Sequence, residues 1–427
     1  MPLLINPFST QPVEAAKGLL FEGLTLIMLA GLVVTRLIRR DFGRRQTSEL
    51  VTKGKILSGF LADRPYFIPA LAYLAICGVA TLFSLDPGQS FWGSETRQGM
   101  LLICSLVIFF LIMAEIVRSV AQAERLITGI LASSVAVAIY GCIQYFGLDP
   151  ITWKTLSISP VHSTVGYSLY LGAYLAMVVP FTLARLLGGT AGDRHTKTLP
   201  YLIILLLQVI CLLFTLSRGA LLALVVGSGV FLGLLATHRQ RWIFAAGITM
   251  LSVIGGILFL SLNYGWGITP LSKESQVSRS DIIENRLISN EDRLTIWKKT
   301  VPMIAGRFLI GYGPDSYTTV YNQYYPNEEN LEEINFTHWD PHNLALSQMM
   351  TAGILGLLAF GFLFFIFYQK TYSLLHSTPP QPVRLMAAAL LASATAYLVQ
   401  GQFNPSGIVA TVIFWLVLAI GLGLSRG

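Results

Sequence analysis

Leu199–Ala236 reads LPYLIILLLQVICLLFTLSRGALLALVVGSGVFLGLLA, two apolar runs parted by a turn that carries one arginine, Arg218. Each run is long enough to cross a hydrocarbon layer about 30 Å thick. Backbone N–H and C=O groups find no partner in lipid, so such runs must be helices that satisfy their own hydrogen bonds. Neither run alternates with the period of two that a membrane β-strand requires. The pair therefore predicts a helical hairpin with a cation at its turn.

The same reading repeats along the chain. Eleven spans are expected near 15–36, 66–85, 97–116, 121–146, 164–187, 199–217, 219–236, 242–262, 342–369, 384–402 and 407–424. Composition agrees: 54% of the 427 residues are hydrophobic and 12% charged, against roughly 25% charged in soluble domains. The net charge of +7 does not point to nucleic acid, because the basic residues punctuate the ends of apolar runs instead of forming a patch. Cys77, Cys104, Cys142 and Cys211 all lie inside apolar runs, so neither a disulfide framework nor a cysteine metal site is expected. The first 14 residues lack a basic n-region, and no cleavable leader is expected.

Orientation follows from lysine and arginine in the short loops. Residues 39–64 carry Arg39, Arg40, Arg44, Arg45, Lys53, Lys55 and Arg64, which makes that loop cytoplasmic. Alternation then puts Arg118, Arg125, Arg185, Arg239, Arg241, Lys370, Arg384 and Arg426 on the same side. The N-terminus falls outside and the C-terminus inside. The chain divides into spans one to eight over 1–262, a large extracytoplasmic loop over 263–341, and spans nine to eleven over 342–427. Within the loop, Leu294, Trp297, Val301 and Ile304 recur at helical spacing, which predicts an amphipathic helix over 291–305 capped by Asn290.

Soluble-enzyme signatures are missing: no P-loop, no dinucleotide fingerprint, no serine elbow, no H-E-x-x-H and no D-x-D pair. What remains is a set of groups at the outer boundary. Arg218 stands at the hairpin turn, where a snorkelling side chain is the plain alternative to an anion contact. Arg293 lies on the loop helix, where an exposed pair with Asp292 is the plain alternative. His342 follows Pro341 at the start of the ninth span, where a polar first turn capped by Asn343 is the alternative. The topology, derived without them, puts all three at one depth on one face. Guanidinium forks suit phosphate oxygens, and a neutral imidazole can accept a hydroxyl proton. Two cations and a base suit displacement of a diphosphate from a lipid-linked sugar by an acceptor hydroxyl. Arg97, at the outer start of the third span, is a further candidate diphosphate contact. No metal site or cofactor is expected.

Four motifs then stand in order: T-L-S-R-G-A-L-L-A at 215–223, Arg293 with Trp297, G-Y-G-P-D-S-Y at 311–317, and Pro341-His-Asn-Leu followed by Gly353-Ile-Leu-Gly356. Over roughly 164–370 the chain resembles the O-antigen ligase and O-antigen polymerase superfamily. The resemblance implies an all-α, GT-C-like helical bundle with a large periplasmic loop. It implies a metal-free transfer of a glycan from undecaprenyl diphosphate in the bacterial inner membrane. The essential arginine, loop arginine and histidine of that family fall on Arg218, Arg293 and His342, with Asn343, Gly313 and His338 as supporting positions. Relatives commonly have about twelve spans with the N-terminus inside, so the chain is expected to lack an initial helix or to begin at a late start. Gly166-Tyr-Ser-Leu-Tyr170 departs from the family stretch and carries no inherited role.

The resulting expectation is an inverting glycosyltransferase of the ligase type, with membrane lipid around it and lipid A core or another glycan or protein as acceptor. A polymerase and a protein O-oligosaccharyltransferase stay open within the class. The rival from another class is a secondary transporter or lipid flippase, which would show ionisable residues near mid-span and an inverted repeat.

Overall fold

The computed structural model describes residues 2–4, 14–43, 63–94, 97–151, 161–188, 194–236, 279–326, 340–377, 379–405 and 407–426. The expected eighth span and His338 lie outside them. Among the described residues there are only helices and turns, no strand. In chain order the helices are α1 (Glu14–Gly43), α2 (Phe67–Leu82), α3 (Pro87–Trp92), α4 (Met100–Ile116), α5 (Val120–Tyr145), α6 (Ser168–Leu187), α7 (Arg194–Phe214) and α8 (Arg218–Leu235). They continue with α9 (Arg279–Gly306), α10 (Tyr317–Tyr324), α11 (Leu344–His376), α12 (Gln381–Gly401) and α13 (Ile408–Leu424).

Six of these, α1, α5, α6, α8, α11 and α12, are long and apolar enough to cross a membrane, and α2, α4, α13 and residues 198–214 of α7 are shorter apolar helices. Leucine, isoleucine and phenylalanine face outward in number, among them Ile27, Ile68, Leu206, Leu358 and Phe365. That surface is stable only against lipid.

The centre of the bundle is α6, α12 and α13, buried on nearly every face. Small residues allow that density: a Cβ on Gly227 of α8 would sit 3.0 Å from Ala396 Cβ of α12. Polar groups in the interior bond to one another. Thr182 donates to Gln208 Oε1 (2.8 Å), and Gln208 Nε2 donates to Ser134 Oγ (2.8 Å), tying α6, α7 and α5.

The basic loop residues gather at one end. Glu115 accepts from Arg64 (2.8 Å), Arg426 (2.8 Å), Arg118 (3.0 Å) and the Tyr66 hydroxyl (3.0 Å). Helix α9 meets two turns of the bundle, through Trp297 to the Pro341 carbonyl and Arg293 to Asn404.

Helix α11 is broken at Gly353, whose φ of 62° and ψ of −166° are not helical. Two stretches exchange backbone hydrogen bonds there. Tyr312 and Gly313 N–H donate to the carbonyls of Met350 (2.7 Å) and Thr351 (3.0 Å). In return, Ile354 and Leu355 N–H donate to Phe308 (2.8 Å) and Leu309 (3.3 Å). The glycines are steric necessities: a Cβ on Gly353 would lie 2.4 Å from the Leu309 carbonyl, and one on Gly311 would lie 2.7 Å from Ala352 N. The G-Y-G and G-I-L-G motifs are thus two halves of one junction.

Two expectations for the loop helix need correction. Helix α9 already begins at Arg279, so Asn290 lies inside it and is no cap. Its buried face is Ile296, Thr300, Met303 and Ile304, closed by Tyr312, Tyr317 and Tyr321, while Leu294 and Val301 are exposed. The sequence carries two apolar stripes, and the one that meets the tyrosines buries more surface.

Candidate active site

Arg218 is the first residue of α8. Ser217 caps the helix by accepting from Ala220 N (3.3 Å), and Leu216 takes a left-handed conformation (φ 53°) that turns the chain sharply. Arg218 thereby stands at a helix N-terminus, where free N–H groups already favour an anion.

Arg293 reaches the same place from α9. It is half-buried, and its Nη2 donates to Asn404 Oδ1 at 2.9 Å. Asn404 sits in the turn between α12 and α13, only 2% exposed. Its other amide atom lies where Gly219 would carry a side chain, 2.2 Å from an ideal Cβ. One asparagine therefore joins the loop helix to the Arg218 hairpin. Burial lowers the proton affinity of Arg293, Tyr167 opposes that, and the charge of Arg218 lowers it further. Two guanidiniums within electrostatic reach of each other make a site for an anion of more than one charge.

His342 precedes α11 in a left-handed conformation, φ 56°. Asp340 holds it there: Oδ1 accepts the His342 backbone N–H (2.7 Å), and its main-chain carbonyl lies 2.7 Å from Nδ1. A carbonyl only accepts, so Nδ1 carries the proton of the neutral ring and Nε2 keeps the basic lone pair. The Asp340 carboxyl also accepts from Ser347 Oγ (3.1 Å). Burial pushes its pKa above the usual carboxylate range, against the pull of His342.

Two bonds fasten this turn beside the arginines. Trp297, one turn of α9 beyond Arg293, donates from Nε1 to the Pro341 carbonyl (2.9 Å). Asn343 accepts from Leu346 N (3.0 Å) as the cap of α11 and donates to the Gln402 carbonyl (3.1 Å), two residues before Asn404. The structure thus gathers Arg218, Arg293, His342 and Asn343 at one end of the bundle. Gly313 belongs to the junction with α11. Arg97 packs against Gly93 and Gly18, with Glu22 of α1 within electrostatic reach. Among the described residues, no cluster of three metal-ligating side chains occurs.

Residues 203–361 match the family model described as O-antigen ligase. That match supports the O-antigen ligase superfamily for this chain. The match takes in Arg218, Arg293 and His342, and it agrees with the resemblance carried by the motifs. No curated protein gives a significant match. An O-antigen ligase domain on a bundle of apolar helices identifies a membrane-embedded enzyme of the glycan ligase and polymerase type, with a lipid-linked glycan donor and a glycan acceptor.

Two residues escaped the sequence reading. Asn404 lies in the short connection between α12 and α13, more than a hundred positions from its partner arginine. Tyr167, at the start of α6, is close enough to Arg293 to affect its ionisation. Neither belongs to a motif, and only the fold brings them in.

Proposed function

We propose that this chain is a metal-independent inverting glycosyltransferase that moves a glycan from undecaprenyl diphosphate to an acceptor hydroxyl. The observation that carries the reading is the Asn404 bridge, which locks the two arginine-bearing elements together beside the His342 turn.

The donor's diphosphate lies against Arg218 and Arg293, with the lipid tail between helices. His342 Nε2 takes the proton of the acceptor hydroxyl, and that oxygen forms a bond to the anomeric carbon. The bond from the anomeric carbon to the diphosphate oxygen breaks, and its electron pair leaves with the diphosphate. A single displacement inverts the configuration. The guanidiniums stabilise the charge that develops on the leaving oxygen, the task a divalent metal performs elsewhere. Gathering of the basic loops at the far end of the bundle supports a site on the outer face of the inner membrane. The description of the matching family supports glycan transfer of the ligase or polymerase type.

The test is transfer from an undecaprenyl diphosphate glycan in proteoliposomes. Arg218→Lys and Arg293→Lys keep the charge and lose the fork, so each should lower the rate by about tenfold or more. Near-normal transfer by both variants would remove the arginines from the mechanism.

A further inference from the structure

Two turns beside Arg293 are not closed by their own residues. Helix α13 begins at Ile408 behind Gly407, which has no side chain to cap it. The turn Ser163–Val165 leads into α6 through Tyr167, whose side chain makes no cap bond either. Both turns are held instead from the first turn of α1, across 394 and 147 residues of sequence. Glu14 Oε2 accepts the N–H of Ile408 (2.8 Å). Lys17 Nζ donates to the carbonyls of Thr164 (2.7 Å) and Val165 (3.1 Å).

Glu14 and Lys17 stand three residues apart, on one face of α1, and within electrostatic reach of each other. Lys17 is fully buried and Glu14 only 8% exposed, whereas Leu19, Leu20, Leu26 and Ile27 of the same helix face outward. A carboxylate and an ammonium are tolerated in such surroundings only when they are paired and hydrogen-bonded. Moving either turn away from α1 would strand a buried charge. The pair therefore fixes where the two turns sit relative to each other.

These turns are the ones that meet Arg293. Asn404, in the connection that Gly407 ends, accepts from Arg293 Nη2 at 2.9 Å. Tyr167 lies within electrostatic reach of the same guanidinium. The turns also pack together: a Cβ on Gly407 would lie 2.5 Å from Tyr170 Cδ2, and Gln400 Nε2 donates to the Leu169 carbonyl (3.4 Å). We propose that Glu14 and Lys17 are positioning residues for Arg293, acting through the Asn404 and Tyr167 turns and touching no substrate themselves. On the reading given above, on which this inference rests, the guanidinium they aim holds the donor's diphosphate.

The experiment uses the full chain in lipid nanodiscs, with Glu14→Leu and Lys17→Met each compared with wild type on protein that elutes as one folded species. Backbone hydrogen–deuterium exchange should quicken over 402–411 in the first variant and over 161–170 in the second. In both it should spread to residues 293–300 of α9, which a local cap would not reach. The Kd for farnesyl diphosphate should rise by about tenfold in each variant and in Asn404→Ala. Adding Glu14→Leu to Asn404→Ala should raise it by less than about twofold more, because both act through one bond. Glu14→Gln, which can still accept from Ile408, should stay within about twofold of wild type. Exchange confined to the two turns, or losses of affinity that add in the double variant, would make the pair merely structural and overturn the proposal. Farnesyl diphosphate binding left unchanged by Asn404→Ala would overturn the arginine reading instead, and faster exchange in α9 would still establish the positioning.

Discussion

Replacing Gly219 by alanine tests the coupling between the hairpin and the loop helix with a single methyl group. The added Cβ would lie 2.2 Å from Asn404 Nδ2 and 3.3 Å from its Cγ. Ordinary carbon–nitrogen contact requires the amide to retreat by roughly 1 Å. Phe403 Cβ lies 3.4 Å from the added methyl, so the amide is the group that must give way. The retreat stretches the 2.9 Å bond to Arg293, and a hydrogen bond to a charged group is worth about 1.5–3 kcal/mol. If that bond is needed in the transition state, transfer should fall by about tenfold to a hundredfold. The assay is transfer in proteoliposomes, with donor affinity measured separately on protein that elutes as one folded species. Asn404→Ala should show a similar loss, since it removes the same bond. In the Asn404→Ala background, Gly219→Ala should then cost almost nothing, because the methyl group meets no amide. Penalties that add in the double variant would refute the coupling.

Other outcomes follow from the same geometry. His342→Ala should remove most turnover, about a hundredfold or more, while donor binding persists. Because residue 342 is left-handed, His342→Asn is the cleaner control: asparagine tolerates that conformation, and near-normal rates in this variant would mean that His342 only shapes the turn. Transfer should survive excess EDTA, and strict dependence on added Mg²⁺ or Mn²⁺ would return Asp315 and Asp340 to consideration as ligands. Gly353→Ala should lower the thermal midpoint of the detergent-solubilised protein markedly, since its Cβ meets the Leu309 backbone at 2.4 Å. An unchanged midpoint would show that the junction is not needed for stability.

Much of this architecture was legible in the residues because lipid leaves the chain so few choices. An apolar run of span length must be helical, and helices overlie every expected span within the described residues. Arg218 and His342 were conspicuous because a cation or an imidazole at a span end is costly without a purpose. The phase of α9 was misread for an equally physical reason. Leu294, Trp297, Val301 and Ile304 make a good helical stripe, and so do Ile296, Thr300 and Met303. Periodicity says that a stripe is buried against something, and only the positions of Tyr312 and Tyr317 say which. Asn404 was illegible for a different reason. Its meaning lies in a contact across more than a hundred residues, and the turn that holds it looks like any other short connection. The glycines of the 311–313 and 353–356 segments stood out singly, but nothing in their spacing announced that they face each other.

The break at Gly353 also bears on how the chain is made. Gly353 lies about 13 Å along α11 from its first residue, at a rise of about 1.5 Å per residue, so the junction sits well inside the thickness of the layer. The carbonyls of Met350 and Thr351 and the N–H groups of Ile354 and Leu355 have their partners in residues 308–313. Those residues leave the ribosome before α11 does. When α11 enters the bilayer, the strip of backbone that completes it has already been delivered to the receiving side. A rearranged chain in which 308–313 followed α11 would have to hold those polar groups in lipid, unpaired, until the missing strip arrived.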